Sequence, residues 1–120
     1  KIKSAITDVL SNNPRKKIHD VTVACFGLSF KPNIDDLRES PAAEITKILA
    51  SLNICKILAV EPNILHLPSS IPNSVELVSI SEAINESDIC VLLVDHSEFK
   101  NLSKNDLKNN LIIDTRGIWT

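Results

Sequence analysis

Four short apolar runs recur along this chain of 120 residues: 21–26 (VTVACF), 57–60 (ILAV), 89–94 (ICVLLV) and 111–113 (LII). Each gives out at glycine or an acid, namely Gly27, Glu61, Asp95 and Asp114. Runs this short, β-rich and apolar at successive positions suit strands covered on both faces of a parallel sheet. Parallel neighbours cannot be joined by a tight turn, so helices must cross between them, and nearly always right-handedly. Between the first two runs, Ile45, Ile48, Leu49 and Leu52 recur on one helical face, and Ser40-Pro41 reads as N-cap and first helical residue. A helix is therefore expected from about Pro41 to Asn53.

The remaining segments fill out the same plan. Ile2, Ala5, Ile6, Val9 and Leu10 keep helical spacing until Asn12-Asn13-Pro14 stops them. Arg15-Lys16-Lys17 with His19 reads as a solvated connection, with phosphate binding as the alternative. Residues 64–73 have prolines nearby at 62, 68 and 72 and no clean period, so a loop is expected there. Val75 to Val78 suits an edge strand, and Ser79 to Glu82 matches a capping box for a helix through Glu86. Two further short helices are proposed at Glu98-Phe99 and Ser103 to Asp106, the second with an N-cap serine and an acid at N3. The fold these elements predict is α/β: a three-layer Rossmann-like domain, a five-stranded parallel sheet in the order 3-2-1-4-5 with helices on both faces.

Composition excludes several roles. With 43% hydrophobic and 23% charged residues, a chain of this length is expected to be one domain with a real core. No apolar run approaches the ~18 residues of a membrane span. A net charge of −2, from 13 basic and 15 acidic residues, supplies no field for nucleic acid. Cys25, Cys55 and Cys90 are odd in number and widely spaced, which reads as reduced thiols in a core and as a cytoplasmic location. None shows the activating neighbour that a nucleophilic cysteine needs. The chain opens without Met inside an amphipathic pattern, as a piece of a longer protein would.

The chemistry gathers between Gly27 and Pro41, where a strand's carboxyl end leads to a helix amino terminus, the usual ligand position in open α/β sheets. Lys31 offers a point charge and Arg38 a planar fork suited to phosphate, flanking Asp35, Asp36 and Glu39. The alternative is that Arg38 pairs with Asp36 to brace the loop while Lys31 is solvated. Arg116, at the end of the last strand, is a third candidate cation; its plain reading is a surface arginine beside a glycine turn. A dinucleotide fingerprint needs three glycines, and only Gly27 is present, so Glu61 is not expected to act as a ribose acid. Asp95-His96 has the composition of a general-base pair, but adjacent strand residues point apart, which favours a structural histidine. Glu98, Asp106 and Asp114 read as caps and solvated faces, and no metal-ligand spacing occurs.

Residues 30–41, FKPNIDDLRESP, resemble the carboxyl-terminal signature of the UDP-glucose/GDP-mannose dehydrogenase family, in which Phe-Lys, four residues, Asp, one residue and Arg-Glu-Ser recur. Val60-Glu61-Pro62-Asn63, Leu93-Val94-Asp95-His96 and 113–119 (IDTRGIW) resemble the branch of that family acting on UDP-N-acetylmannosamine. The resemblance implies enzymes of polysaccharide biosynthesis that oxidise the C6 hydroxyl of a nucleotide sugar to a carboxylate in two steps with two NAD, through a cysteine adduct. In the family that cysteine and the glycine-rich NAD domain lie upstream, and Cys25, Cys55 and Cys90 do not sit in its motif, so no catalytic residue is expected here and the chain should be inactive alone. By position, Phe30, Lys31 and Arg116 resemble contacts to the UDP-sugar, and Arg38 one that reaches the NAD held by the other domain. The same resemblance implies the end of a connecting helix at 1–13 and a UDP-sugar-binding domain at 14–120. Its partners would be the amino-terminal and central domains of the same enzyme, a homodimer when full length. The alternative is a self-standing regulatory or scaffold domain that associates through the sheet edge and helix 1–12.

Overall fold

The computed structural model describes residues 2–12, 17–29, 37, 40–52, 55–103, 105–107 and 109–119. Strand β1 (Thr22–Phe26) is central and pairs in parallel with β2 (Lys56–Val60) on one side and β4 (Ile89–Leu92) on the other. β3 (Glu76–Leu77) adds beside β2 and β5 (Leu111–Asp114) beside β4, giving the expected parallel order β3-β2-β1-β4-β5. Successive β1 side chains alternate between faces. Val23 and Cys25 join Ile57, Ala59, Ile89 and Val91 in one apolar cluster, while Ala24 and Phe26 join Leu58, Val60, Cys90 and Leu92 in the other. Two buried faces explain why the runs are apolar throughout.

The first face is covered by α1 (Ile2–Asn12), through Ala5, Ile6 and Val9, and by α2 (Pro41–Ser51). The second is covered by α3 (Ile80–Glu86) through Ala83 and α4 (Ser97–Lys100) through Phe99, with Leu107 and Trp119 closing the layer. Rings of Phe26, Phe99 and Trp119 meet edge to face, with centroids 5.2 Å apart in both pairs that include Phe26. Among the described residues no helix is long and apolar enough to cross a membrane.

Local signals hold at the helix starts. Ser40 caps α2 by accepting from the Ala43 amide at 3.2 Å, and Ser79 with Glu82 forms the capping box of α3. Three expectations need correction. Of the expected stripe, α2 packs only Leu49 partly against the core, while Ile45, Ile48 and Leu52 are 38%, 54% and 46% exposed; it buries Ala42, Ala43 and Thr46 instead. Small residues on that side let the helix approach the sheet closely, and Thr46 satisfies its hydroxyl on Ala42 O at 3.0 Å. Ser103 and Asp106 make the capping bonds, yet residues 105–107 form only a turn, since β5 begins at Leu111. β4 ends at Leu92, two residues before its apolar run does, because the Leu93 and Val94 amides both bond to Phe26 O.

Candidate functional site

The chain leaves β1 toward α2 on one face and leaves β4 toward α4 on the other, so the carboxyl ends of these neighbours mark the topological switch point of the sheet, the usual ligand position in open α/β folds. Gly27 makes that parting feasible. Its φ is +98°, and a Cβ there would lie 2.6 Å from Val94 Cβ and 2.9 Å from Val94 N. Its amide meanwhile donates to Val60 O at 2.8 Å, so three strand ends converge on one residue without a side chain.

Next to it stands a buried carboxylate. Glu61, at the end of β2 and 2% exposed, accepts on Oε1 from the amides of Leu28 (2.9 Å) and Ser29 (3.1 Å) and from His96 Nε2 (2.8 Å). Its Oε2 accepts from the amide and the side-chain nitrogen of Asn63, both at 3.1 Å. Burial alone would push this acid upward, but the hydrogen bonds from His96, Leu28 and Asn63 outweigh it and hold the carboxyl below its ordinary range. Because Oε1 only accepts, Nε2 of His96 is the protonated ring nitrogen. Ser29 Oγ sits 3.2 Å from the same nitrogen. A serine–histidine–acid relay would use the two opposite ring nitrogens, so this trio is not one. His96 is fully buried and faces Glu61 rather than serving with Asp95 as a base.

The same geometry bears on a dinucleotide. A ribose acid must offer its oxygens to two hydroxyls, whereas five protein donors already fill those of Glu61. With a single glycine before α2 as well, these residues do not fit a dinucleotide held by this domain alone.

Two further features shape the edge. Ser40, besides capping α2, donates its hydroxyl to Leu28 O at 2.7 Å. At the end of β5, Asp114 Oδ1 accepts from the amides of Arg116 (2.9 Å) and Gly117 (2.7 Å), and Oδ2 from that of Trp119 (2.7 Å). Gly117, at φ +75°, lets the turn close. This turn places Arg116 so that its Nε donates to Leu93 O at 3.1 Å, which fixes the guanidinium at the carboxyl edge between the exits of β4 and β5. Beyond β2 and β3, Glu61 borders an open, mainly apolar hollow of about 880 Å³ lined by Pro62, Leu65, Leu77, Ile80 and Leu102 among others.

Of the sites read from sequence, Arg116 thus lies at the switch-point edge, while Phe30, Lys31 and Arg38 lie outside the described residues. So do Asp35, Asp36 and Glu39, and with them the proposed Arg38–Asp36 brace. Cys25 and Cys90 are fully buried and free, and Cys55 is free and half-buried. Glu61 and Ser40 are organisers that sequence reasoning missed. Nothing local signals the reach of Glu61 to residues more than thirty positions away, and the N-cap role of Ser40 hides its second bond.

The strand order and the parting of the chain at Gly27 define a doubly wound α/β domain, whose carboxyl edge carries the Arg116 guanidinium. Residues 24–120 match the UDP-glucose/GDP-mannose dehydrogenase family, UDP binding domain. The UDP-N-acetyl-D-mannosamine dehydrogenase of Yersinia pestis is 42% identical over 119 residues, covering 99% of this chain and 28% of that protein. The NDP-N-acetyl-D-galactosaminuronic acid dehydrogenase of Ralstonia solanacearum is 47% identical over 105 residues, 88% of this chain and 25% of that protein. Among solved structures, the UDP-N-acetyl-mannosamine dehydrogenase of S. aureus superposes with a TM-score of 0.72 at 32% identity, over 99% of this chain and 25% of that one. The chain belongs to the UDP-glucose/GDP-mannose dehydrogenase family and spans little more than a quarter of the length of these relatives.

Proposed function

We propose that the chain is the carboxyl-terminal, UDP-sugar-binding part of an NAD-dependent nucleotide-sugar 6-dehydrogenase that converts UDP-N-acetylmannosamine to the corresponding uronate for polysaccharide biosynthesis in the cytoplasm. The observation that carries this reading is the family match over 24–120, from within β1 to the end of the chain. The geometry supports it: a cation, Arg116, held at the carboxyl edge of a doubly wound sheet suits an anionic nucleotide. In this reading Phe30, Lys31 and Arg116 contact the UDP-sugar, and Arg38 reaches the NAD bound mainly by the amino-terminal domain. Residues 1–13 end a connecting helix, residues 14–120 bind the nucleotide sugar, and the partners are the other domains of a homodimeric enzyme.

The alternative of a self-standing association module is less well supported. Ala5, Ile6 and Val9 of α1 are buried in the domain's own core rather than offered to a partner, and the edge strand β3 has only two residues.

Calorimetric titration of the purified chain with UDP, UDP-N-acetylmannosamine and NAD tests the proposal, alongside an absorbance assay for NADH. Saturable binding of both uridine nucleotides, weaker or no binding of NAD and no NADH are expected. Binding of NAD but not of UDP would contradict it, as would turnover in a preparation free of intact enzyme.

A further inference from the structure

The turn that follows β5 reaches back to β4 through two consecutive side chains. Thr115 donates its hydroxyl to Leu92 O at 2.6 Å, and Arg116 donates Nε to Leu93 O at 3.1 Å. The turn itself is held by Asp114, which stands opposite Leu92 in the sheet. Its Oδ1 accepts from the Arg116 and Gly117 amides and its Oδ2 from the Trp119 amide. Burial pushes this carboxyl up, but the amide bonds outweigh it and hold it below its ordinary range, so both oxygens accept at neutral pH. Trp119 anchors the far end of the turn, because it is buried and its Nε1 donates to Phe99 O at 2.9 Å. Bonding through Nε occupies the guanidinium nitrogen nearest the backbone and leaves Nη1 and Nη2, which have no partner among the described residues. A guanidinium held in this way keeps a planar pair of donors for a phosphate.

We propose that Asp114 and Thr115 are positioning residues for nucleotide binding: they fix the turn against β4 so that Arg116 presents its two terminal nitrogens at the carboxyl edge before an anion arrives. The proposal rests on the reading that Arg116 contacts the UDP-sugar. Its physical content is preorganisation. An arginine loose on an exposed turn has to be immobilised on binding, which costs roughly two- to tenfold in affinity. Asp114 is suited because a carboxylate only accepts, so one side chain can gather three amides of the same turn. Thr115 is suited because its hydroxyl and its amide both donate to Leu92 O, which sets the register of the turn on β4.

The test is a double-mutant cycle on UDP affinity, measured by calorimetry, with exchange of the Arg116 Nε proton followed by nuclear magnetic resonance in the ligand-free chain. Asp114→Asn turns a donor toward the amides of the turn, and Thr115→Val removes the hydroxyl with little change of shape. Each should weaken UDP about three- to tenfold and speed the Nε exchange by at least about threefold. Thr115→Ser, which keeps the hydroxyl, should stay within about twofold of the parent in both readouts. So should Asn110→Ala, which breaks bonds to Ile84 and Ser87 at the opposite edge of the sheet. In an Arg116→Ala background, Asp114→Asn and Thr115→Val should change the residual affinity by less than about twofold, because a positioning residue acts only through the group it positions. Losses of equal size in both backgrounds would show a merely structural role and overturn the proposal, as would Nε exchange that neither variant alters. Failure of the parent chain to bind UDP would count against the functional reading instead. The exchange rates would then decide the positioning: faster in both variants upholds it, unchanged overturns it.

Discussion

Glu61 Oε1 stands 2.8 Å from His96 Nε2 with both side chains buried, joining the end of β2 to the segment that follows β4 across the central strand. The contact gives the carboxylate a donor from beyond β1 and accounts for much of why Glu61 stays ionised although burial opposes it.

A carboxyl held below its ordinary range makes stability depend on acid in a definite direction. Unfolded Glu61 takes up its proton near pH 4.3 and the folded one only at lower pH, so its contribution is complete above that value and is lost as pH falls. Glu61→Gln should be less stable than the parent at pH 7 by about 2 kcal/mol or more. It should also lose less on going from pH 7 to 3. Asp106 and Asp114 are lowered as well, so some acid dependence will remain. Urea titrations at both pH values measure this, and parallel losses in the two proteins would refute it.

Gly27→Ala should destabilise the chain by about 2 to 5 kcal/mol. A left-handed backbone costs an L residue about 1–2 kcal/mol, and a side chain forced into packed atoms about 1–3 more. Here the packed atom is Val94 Cβ, 2.6 Å from the new methyl position. Chemical denaturation within about 0.5 kcal/mol of the parent would show that the parting of β1 and β4 tolerates a side chain.

The thiols should separate into two classes. Burial pushes Cys25 up to about 12, only partly offset by a hydrogen bond with Thr46, and Cys90 up to about 11. At pH 8 their thiolate populations are about one in a thousand or less, and no reagent reaches them while the sheet is closed. Cys55 is raised too but half-buried, so it should label first, and slowly. Disulfide-exchange labelling in the native state should therefore modify at most one thiol, with the other two appearing only on unfolding.

In the complete enzyme, the cations should act on different ligands. Losing a charge-assisted hydrogen bond to an anion costs about 1.5 to 3 kcal/mol, or roughly ten- to a hundredfold in affinity. Lys31→Ala is expected to weaken UDP-sugar by that factor with NAD affinity kept, and Arg38→Ala to do the reverse, with Arg38→Lys an incomplete rescue. If Arg38 instead braces the loop through Asp36, its loss will lower the melting temperature and weaken both ligands together.

The architecture was readable because its cause is local. Continuous apolar runs ending at Gly27, Glu61 and Asp114, with Ser40-Pro41 and Ser79 as helix starts, required only neighbouring residues to interpret. The buried side of α2 was not readable in the same way. Ile45, Ile48 and Leu52 carry the stronger hydrophobic signal, but close approach to the sheet selects Ala42, Ala43 and Thr46. Lys31, Arg38 and Arg116 were all legible as candidate cations from their place after a strand end, with their ligands assigned by resemblance; Arg116 is found at the carboxyl edge, while Lys31 and Arg38 lie outside the described residues. The bonds on Leu28 are a tertiary fact: Glu61 reaches it from the end of β2 and Ser40 from the start of α2, and periodicity carries no trace of that.

Mapping UDP on the chain by amide chemical shifts tests the central claim most directly. The account predicts saturable shifts at the carboxyl edge, at Leu28, Ser29, Leu93 and Arg116, with Thr22, Asp88 and Asn110 at the amino edge unmoved. Shifts confined to the amino edge, or none up to millimolar UDP, would contradict it.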